Sequence, residues 1–332
     1  MSPRFWMITN RQRDGETLNS ERGPVTYWVA DGGDPTVLPT WTKIGATAFK
    51  TLLVQAADEL GGSAKPDQQE DQPHVTLFVH GYNSTWADAA TRYRSLCNGL
   101  FSGDASLGLC ILFTWPSFGS PVDYLPDRTE ARDSAGDLAD VLSELYDWLI
   151  KKQADGFRDS TKACRAKTSL IAHSMGNYVL QKAMQLAWSR KNQPLLVSLL
   201  NQLVMVAADV DNDLFKSGEV VERADGDAIG NFTYRVTALF TGRDPVLGLS
   251  AGLKHFGKRR LGRSGLDKTV PCPDNVWDWD CSDMFRRDQD NIHSAYFEEP
   301  KTIELMRQVL RGIDRTVLVR QSAATTPQGQ RR

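Results

Sequence analysis

Residues 168–180 read TSLIAHSMGNYVL, and this stretch decides the fold. Leu170 and Ile171 close a short apolar run, which predicts a buried strand. Ala172-His173-Ser174-Met175-Gly176 follows, and then Val179, Leu180, Ala183, Met184 and Ala187 recur at helical spacing. A strand that turns at once into a helix, with a serine at the turn, is the setting of a nucleophile elbow. So tight a turn strains the serine backbone and lifts its hydroxyl clear of the sheet. It also demands small residues two positions to either side, here Ala172 and Gly176. The Met175 N–H would then face a bound acyl oxygen from the positive end of the new helix. Serine is also a common helix N-cap. The strand–turn–helix setting is what favours the catalytic reading.

Outward from this stretch, strands and helices alternate. Residues 5–8 and 25–29 are rich in aromatic and β-branched types and predict two early strands separated by a polar turn region. A helix is expected over 49–60, a polar loop over 61–73, a strand over 75–79, a helix over 87–96, a strand over 110–114 and an amphipathic helix over 134–150. After the elbow come strands over 203–207 and 234–240, a short one over 268–270, and a closing helix over 301–310. This alternation predicts an α/β fold: a doubly wound, mostly parallel sheet with helices on both faces. The functional loops should follow the carboxyl ends of the strands. Residues 1–320 are expected to form a single domain, with 251–290 as a long excursion near the active site. The polar tail 321–332 is expected to be disordered.

Several function classes drop out on composition. The 332 residues carry a net charge of −2, which gives no global attraction to nucleic acid or to a membrane surface. The longest apolar run, 195–208, is interrupted by Asn201 and Gln202, so no membrane-spanning segment is expected. The N-terminal MSPRFWMITNRQRD is too short in apolar residues for a secretory signal. Five scattered cysteines suit reduced thiols and a cytoplasmic setting. Cys272 and Cys281 bracket PDNVWDWD without nearby histidines. That pattern points to buried thiols or a disulfide rather than a metal site.

A serine nucleophile needs a base, usually histidine, held by an acid. In the chain order of an elbow serine the acid comes next and the histidine last, which leaves His255 and His293 of the five histidines. His255 lies in the basic run LKHFGKRRLGR, where a solvated histidine is the simpler reading. His293, in NIHSAY before the closing helix, is preferred as the base. Two acids compete. Asp244 follows the strand 234–240, and Asp209 follows the strand before it; Asp244 lies nearer the expected position. The second oxyanion N–H is expected from the loop in LFVHGYN, from Tyr82 beside Gly81, with His80 as a bracing residue. Trp115, Pro116, Ser117, Tyr124 and Asp127 follow a strand at the active edge. They read equally as pocket wall or as a packed loop, with Trp115 and Tyr124 taken as substrate-binding candidates. Arg260 stands out in the basic run as a possible partner for an anionic substrate group. The excursion carries Leu253, Phe256, Trp277, Trp279, Met284 and Phe285, too much apolar surface to leave in water. Trp277 or Trp279 is therefore expected to line the acyl or alcohol pocket.

VHGYN, FTWPS followed by Tyr124 and Asp127, AHSMGN, a strand ending near Asp244, RLG at 260–262 and IHSAYF, in this order, resemble the alpha/beta-hydrolase superfamily. Within it, the chain is similar to a branch of largely uncharacterised bacterial serine hydrolases. The resemblance runs from about Phe5 to the closing helix. It implies the doubly wound sheet, a triad of Ser174, Asp244 and His293, an oxyanion hole of Tyr82 and Met175, and ester-type hydrolysis of a small molecule. It implies no metal and no organic cofactor. The departure from the pattern is the Trp- and Cys-containing segment 270–287 before His293. A carboxylesterase for small to medium acyl esters is the first expectation. Amide hydrolysis, acyl transfer, lipase action or a non-catalytic binding module on the same fold are the rivals. Oligomeric state is left open.

Overall fold

The computed structural model describes residues 4–61, 72–119, 124–159, 166–191, 198–216, 226–254 and 257–325. The chain opens with an antiparallel meander: β1 (Arg4–Asp14), β2 (Thr17–Asp31) and β3 (Thr42–Ile44). Then come α1 (Ala46–Gly61), β4 (His74–Val79), α2 (Trp86–Leu100), β5 (Gly108–Thr114), α3 (Tyr124–Arg158), β6 (Lys167–His173), α4 (Gly176–Lys191) and β7 (Leu200–Val206). The last third holds α5 (Asp227–Phe232), β8 (Thr233–Phe240), α6 (Pro245–Leu249), α7 (Leu261–Ser264), β9 (Val276–Asp280), α8 (Ile292–Ala295), α9 (Pro300–Arg311) and α10 (Arg315–Thr325). Among the described residues, nine strands form one sheet in the order β3-β2-β1-β5-β4-β6-β7-β8-β9. Every pairing from β1 through β9 is parallel; only the meander is antiparallel.

The central strands read as continuous apolar runs because both of their faces are covered. Their side chains alternate between two cores. Leu77, Val79, Leu170, Ala172, Leu203 and Met205 pack on one face against α1, α3, α4 and α5. Phe78, Ile171, Val204 and Val206 point the other way, against α2, α8 and α9. This period of two, shared in register by β4, β6 and β7, aligns the strand ends at one edge of the sheet. The loops after β4, β5, β6, β7 and β8 therefore converge there.

Several boundaries differ from the sequence expectation. β1 and β2 run on as a long polar hairpin through the expected turn region and meet at Gly15, with register shifts around Arg11. A hairpin that stands partly clear of the core needs no apolar alternation, so periodicity missed its extension. α3 starts ten residues earlier than expected, at Tyr124. α2 starts at a capping box in which Thr85 and Asp88 bond each other's backbone N–H. Residues 268–270 form a turn; the last strand is β9, inside the excursion. β9 carries Trp277 and Trp279 alternating with aspartates, so it lacked the β-branched run by which strands are recognised. α10 continues past Gln321 to Thr325. No helix among the described residues is long and apolar enough to cross a membrane.

One buried hydroxyl closes the seam between the meander and the parallel sheet. Tyr93 of α2 donates to the Cys110 carbonyl of β5 (2.7 Å) and accepts from the Trp6 N–H of β1 (3.1 Å). Tyr93→Phe keeps the ring and orphans the Trp6 N–H. It should cost about 1–3 kcal/mol in denaturant unfolding. Unchanged stability would show that the hydroxyl adds nothing to this seam.

Candidate active site

β6 ends at His173, and Ser174 takes φ 52°, the left-handed region that a serine rarely enters. Such a conformation costs on the order of 1–3 kcal/mol and persists only where neighbours impose it. Here they do. Ser174 N–H donates to Val206 O (2.9 Å), and its carbonyl accepts from the N–H of Asn177 and of Asp209 (3.1 Å each). The Asn177 side chain donates to Ala172 O (3.0 Å) and Ser174 O (3.1 Å), lacing the strand end to the helix start. Crowding explains the small residues. A Cβ on Gly176 would stand 2.4 Å from His80 O, and one on Gly81 would stand 2.6 Å from the Ser174 Cβ. The elbow and the loop after β4 therefore touch backbone to backbone.

The structure brings three of the sequence-derived residues into one hydrogen-bonded line. Ser174 Oγ lies 2.9 Å from His293 Nε2, and His293 Nδ1 lies 2.7 Å from Asp244 Oδ2. A carboxylate on Nδ1 fixes the proton there and leaves Nε2 free to accept the serine proton. Asp244 is fully buried; its other oxygen accepts from Leu247 N–H (3.0 Å) at the start of α6, and its carbonyl accepts from Arg263. His293 sits in the short helix α8 behind Asn291, whose φ is 49°.

Asp209, the rival acid, is used elsewhere. Arg260 Nε (2.8 Å) and Ser250 Oγ (2.9 Å) donate to its Oδ1, and Tyr124 OH donates to its Oδ2 (2.7 Å). Arg260 is itself buried and also bonds Asp211 and the Asp209 carbonyl. Its guanidinium therefore faces internal carboxylates rather than a ligand. His255, the rival base, lies outside the described residues.

The loop after β4 is held from beneath. Asp127 on α3 accepts from Asn83 N–H (3.0 Å), Ser117 Oγ (2.7 Å) and Phe118 N–H (2.8 Å), joining the HGYN loop to the WPS loop. Arg11 of β1, a residue to which the sequence gave no signal, lies buried below the same loops. It donates to Ser84 O (2.7 Å), Thr114 Oγ1 (3.0 Å) and Ser117 O (3.4 Å). Desolvation lowers its pKa to about 9. His80 stacks flat on Trp115 (5.3 Å), bonds Gly81 O through Nδ1 (2.8 Å) and accepts from Trp115 N–H (3.1 Å). It braces the loop, as expected. Met175 N–H has no hydrogen bond among the described residues.

The four aromatic candidates are distributed differently. Trp115 is fully buried and donates Nε1–H to His80 O (2.9 Å), and Tyr124 is buried with its edge on Tyr82 (5.3 Å). Both sit under the loops as anchors. Trp277 and Trp279 lie on the edge strand β9, three strands from β6, so ~14 Å of sheet separates them from the serine's strand. They line a cavity of about 590 Å³ with Val270, Cys272 and Val319 of α10, to which Ser174, Asp244 and His293 contribute nothing. The excursion packs its tryptophans, half-buried, against the core by adding a strand. Cys272 and Cys281 are free thiols.

Fold and site together define an alpha/beta hydrolase. A family model for alpha/beta hydrolases of unknown function (DUF900) matches residues 63–309, and the chain belongs to that family. An uncharacterized protein, alr1448, of Nostoc sp. is 28% identical over 134 residues, 34% of this chain and 31% of that protein. The chain thus matches less than a third of that relative's length. Among solved structures, a carboxyl esterase 2 of Tuber melanosporum is 10% identical, with a TM-score of 0.39 over 92% of this chain and 90% of that one. Lipase B of Aspergillus fumigatus is 10% identical, with a TM-score of 0.37 over 77% of this chain and 58% of that one.

The two acids should separate by experiment. Asp209→Asn weakens the charge pairing of buried Arg260 and should destabilise the fold by about 3 kcal/mol. Asp244→Asn can still cap α6 but favours the wrong imidazole tautomer, and should lower turnover by ~10⁴ with little loss of stability. Unfolding curves and ester kinetics on both variants check this; the reverse pattern would exchange the roles. Acid stability gives a second check. Burial holds His74 neutral, with its pKa lowered to about 3, and depresses His80 and His173 as well. Above the ordinary value of 6.5 neither state is protonated. Below it the unfolded chain gains protons that the native state refuses, so stability should fall as pH drops from 6.5 toward 3. A chemical denaturation series over that range measures the slope, and His74→Gln should reduce it.

Proposed function

We propose that this hydrolase is a serine carboxylesterase acting on small to medium acyl esters. The observation that carries the reading is the unbroken line Asp244–His293–Ser174, with the serine held at φ 52° on the elbow. Ser174 Oγ attacks the ester carbonyl carbon as its proton passes to His293 Nε2, and Asp244 steadies the resulting imidazolium. Met175 and Tyr82 N–H groups receive the oxyanion; one such donor is typically worth ~10²–10³ in turnover. The intermediate collapses, and the alcohol leaves with the proton from His293. Water then repeats the sequence on the acyl-enzyme and releases the acid. Phe118 after β5, Leu125 next to Tyr124 and Leu249 next to Ser250 are exposed, which suits an apolar acyl or alcohol group. The four free thiols among the described residues suit a cytoplasmic location.

A fluorophosphonate probe should label the wild type at Ser174 and leave Ser174→Ala unlabelled, with mass spectrometry locating the adduct. A panel of esters and matching amides, differing only in acyl length, should show turnover of the esters. Labelling elsewhere, or none in a folded protein, would leave the non-catalytic binding module as the reading. Faster amide turnover would move the assignment to an amidase.

A further inference from the structure

His293 stands on no strand. α8 is a single turn of helix, and the segment before it leaves the sheet at β9. What fixes the imidazole against Ser174 must therefore come from elsewhere. The His173 ring supplies such a contact. It is buried, 1% exposed, its centroid lies 4.9 Å from that of His293, and its Nε2 is 2.8 Å from the His293 carbonyl oxygen. A carbonyl only accepts, so His173 must carry its proton on Nε2. The other nitrogen agrees. Nδ1 is buried without a hydrogen-bond partner among the described residues and faces the Gly81 backbone, where a Cβ would come within 3.1 Å. A proton there would be an orphaned buried donor, costing more than an orphaned acceptor lone pair. Phe297 packs against the same ring in a T-shaped contact, with centroids 5.2 Å apart. Sequence order had excluded His173 as the base because it precedes the serine. That same position gives it another use, since any shift of the elbow is passed to the base through one side chain.

We propose that His173 is a positioning residue that couples the base to the nucleophile: from the position before Ser174 it donates Nε2–H to the His293 carbonyl and so sets the Ser174–His293 hydrogen bond. This rests on the reading of Ser174 and His293 as nucleophile and base. A misplacement of about 1 Å in such a pair can cost ~10²-fold in rate.

The test compares His173→Phe, which keeps the ring and its contacts but has no donor, with His173→Gln, whose amide N–H₂ reaches about as far as Nε2. Both are measured by ester kinetics and by the rate of fluorophosphonate labelling. His173→Phe should lose ~10–100-fold in kcat and in labelling rate with KM within about twofold, and His173→Gln should recover most of that loss. If Phe matches the wild type, or Gln is as impaired as Phe in a folded protein, the donor does not position the base and the proposal fails. A third measurement depends on neither activity nor variants. The ¹⁵N spectrum of the wild-type imidazoles at neutral pH should show His173 neutral with its proton on Nε2. A proton on Nδ1, or an imidazolium, would overturn the proposal even if the esterase reading stands. A wild type inert to probe and esters, but with the expected tautomer, would overturn the esterase reading and reduce this contact to a structural one.

Discussion

The turn at Ser174 is the constraint on which the rest of the site depends. An L-residue at φ 52° between a buried strand and a helix is unfavourable by itself. It is held because β7 accepts the Ser174 N–H, Asp209 and Asn177 donate to its carbonyl, and β4 presses on Gly176. Apart from the Asn177 bond, which comes from α4, these restraints come from neighbouring strand ends, so the turn depends on β4, β6 and β7 being aligned in register. The parallel sheet and the position of one hydroxyl are thus a single problem. Glycines at 81 and 176 follow from the close contacts there, before any substrate is considered.

Around this turn the loops are fastened by buried charge as well as by the packed rings of Trp115 and Tyr124. Asp209 and Arg260 tie the excursion to the end of β7, and Asp127 with Arg11 ties the loops after β4 and β5 to α3 and β1. A buried pair of this kind adds little net stability, because desolvation offsets most of the attraction. Its value lies in direction. A loop whose upper side stays open, as the proposed reading requires, cannot be covered by greasy side chains. Hydrogen bonds to carbonyl and amide groups from below hold its shape while leaving its upper side open.

How much of this was legible in the sequence follows from which interactions are local. The strand–turn–helix at 168–180 and the alternation of apolar segments are local, and they gave the parallel sheet and Ser174. Chain order pointed to His293 and Asp244, and the strand before Asp244 is itself readable. β9 was not, since an edge strand built as Trp-Asp-Trp-Asp has no two-sided burial to print an apolar run. The tryptophans were consequently assigned to the cleft. Sheet addition places Trp277 and Trp279, half-buried, against the core at the far edge of the sheet instead. Arg11 gave no signal, and Arg260 stood out but with the wrong partner, for a different reason. A buried arginine is identified by its partners, and these lie 73 and 51 residues away.

His293 shows most plainly how function rests on long-range contacts. It hangs on a segment that contributes one edge strand and then runs as short turns to α9. Arg243, next to the acid, spreads its guanidinium over the carbonyls of Ser282 (3.2 Å), Phe285 (3.1 Å), Arg286 (2.7 Å) and Arg287 (2.9 Å). That clamp fixes the approach to His293 from the acid side, while the His173 contact fixes its carbonyl from the serine side. An imidazole hydrogen-bonded to Ser174 on one side and Asp244 on the other needs a ring held in place and a backbone that does not drift. Neither residue is tied to its own segment alone: Arg243 reaches forty residues ahead and His173 reaches 120. The segment of His293 is therefore held by the strand of Ser174 and the loop of Asp244 together. A histidine loop of unusual length can be accommodated so long as those two anchor points survive.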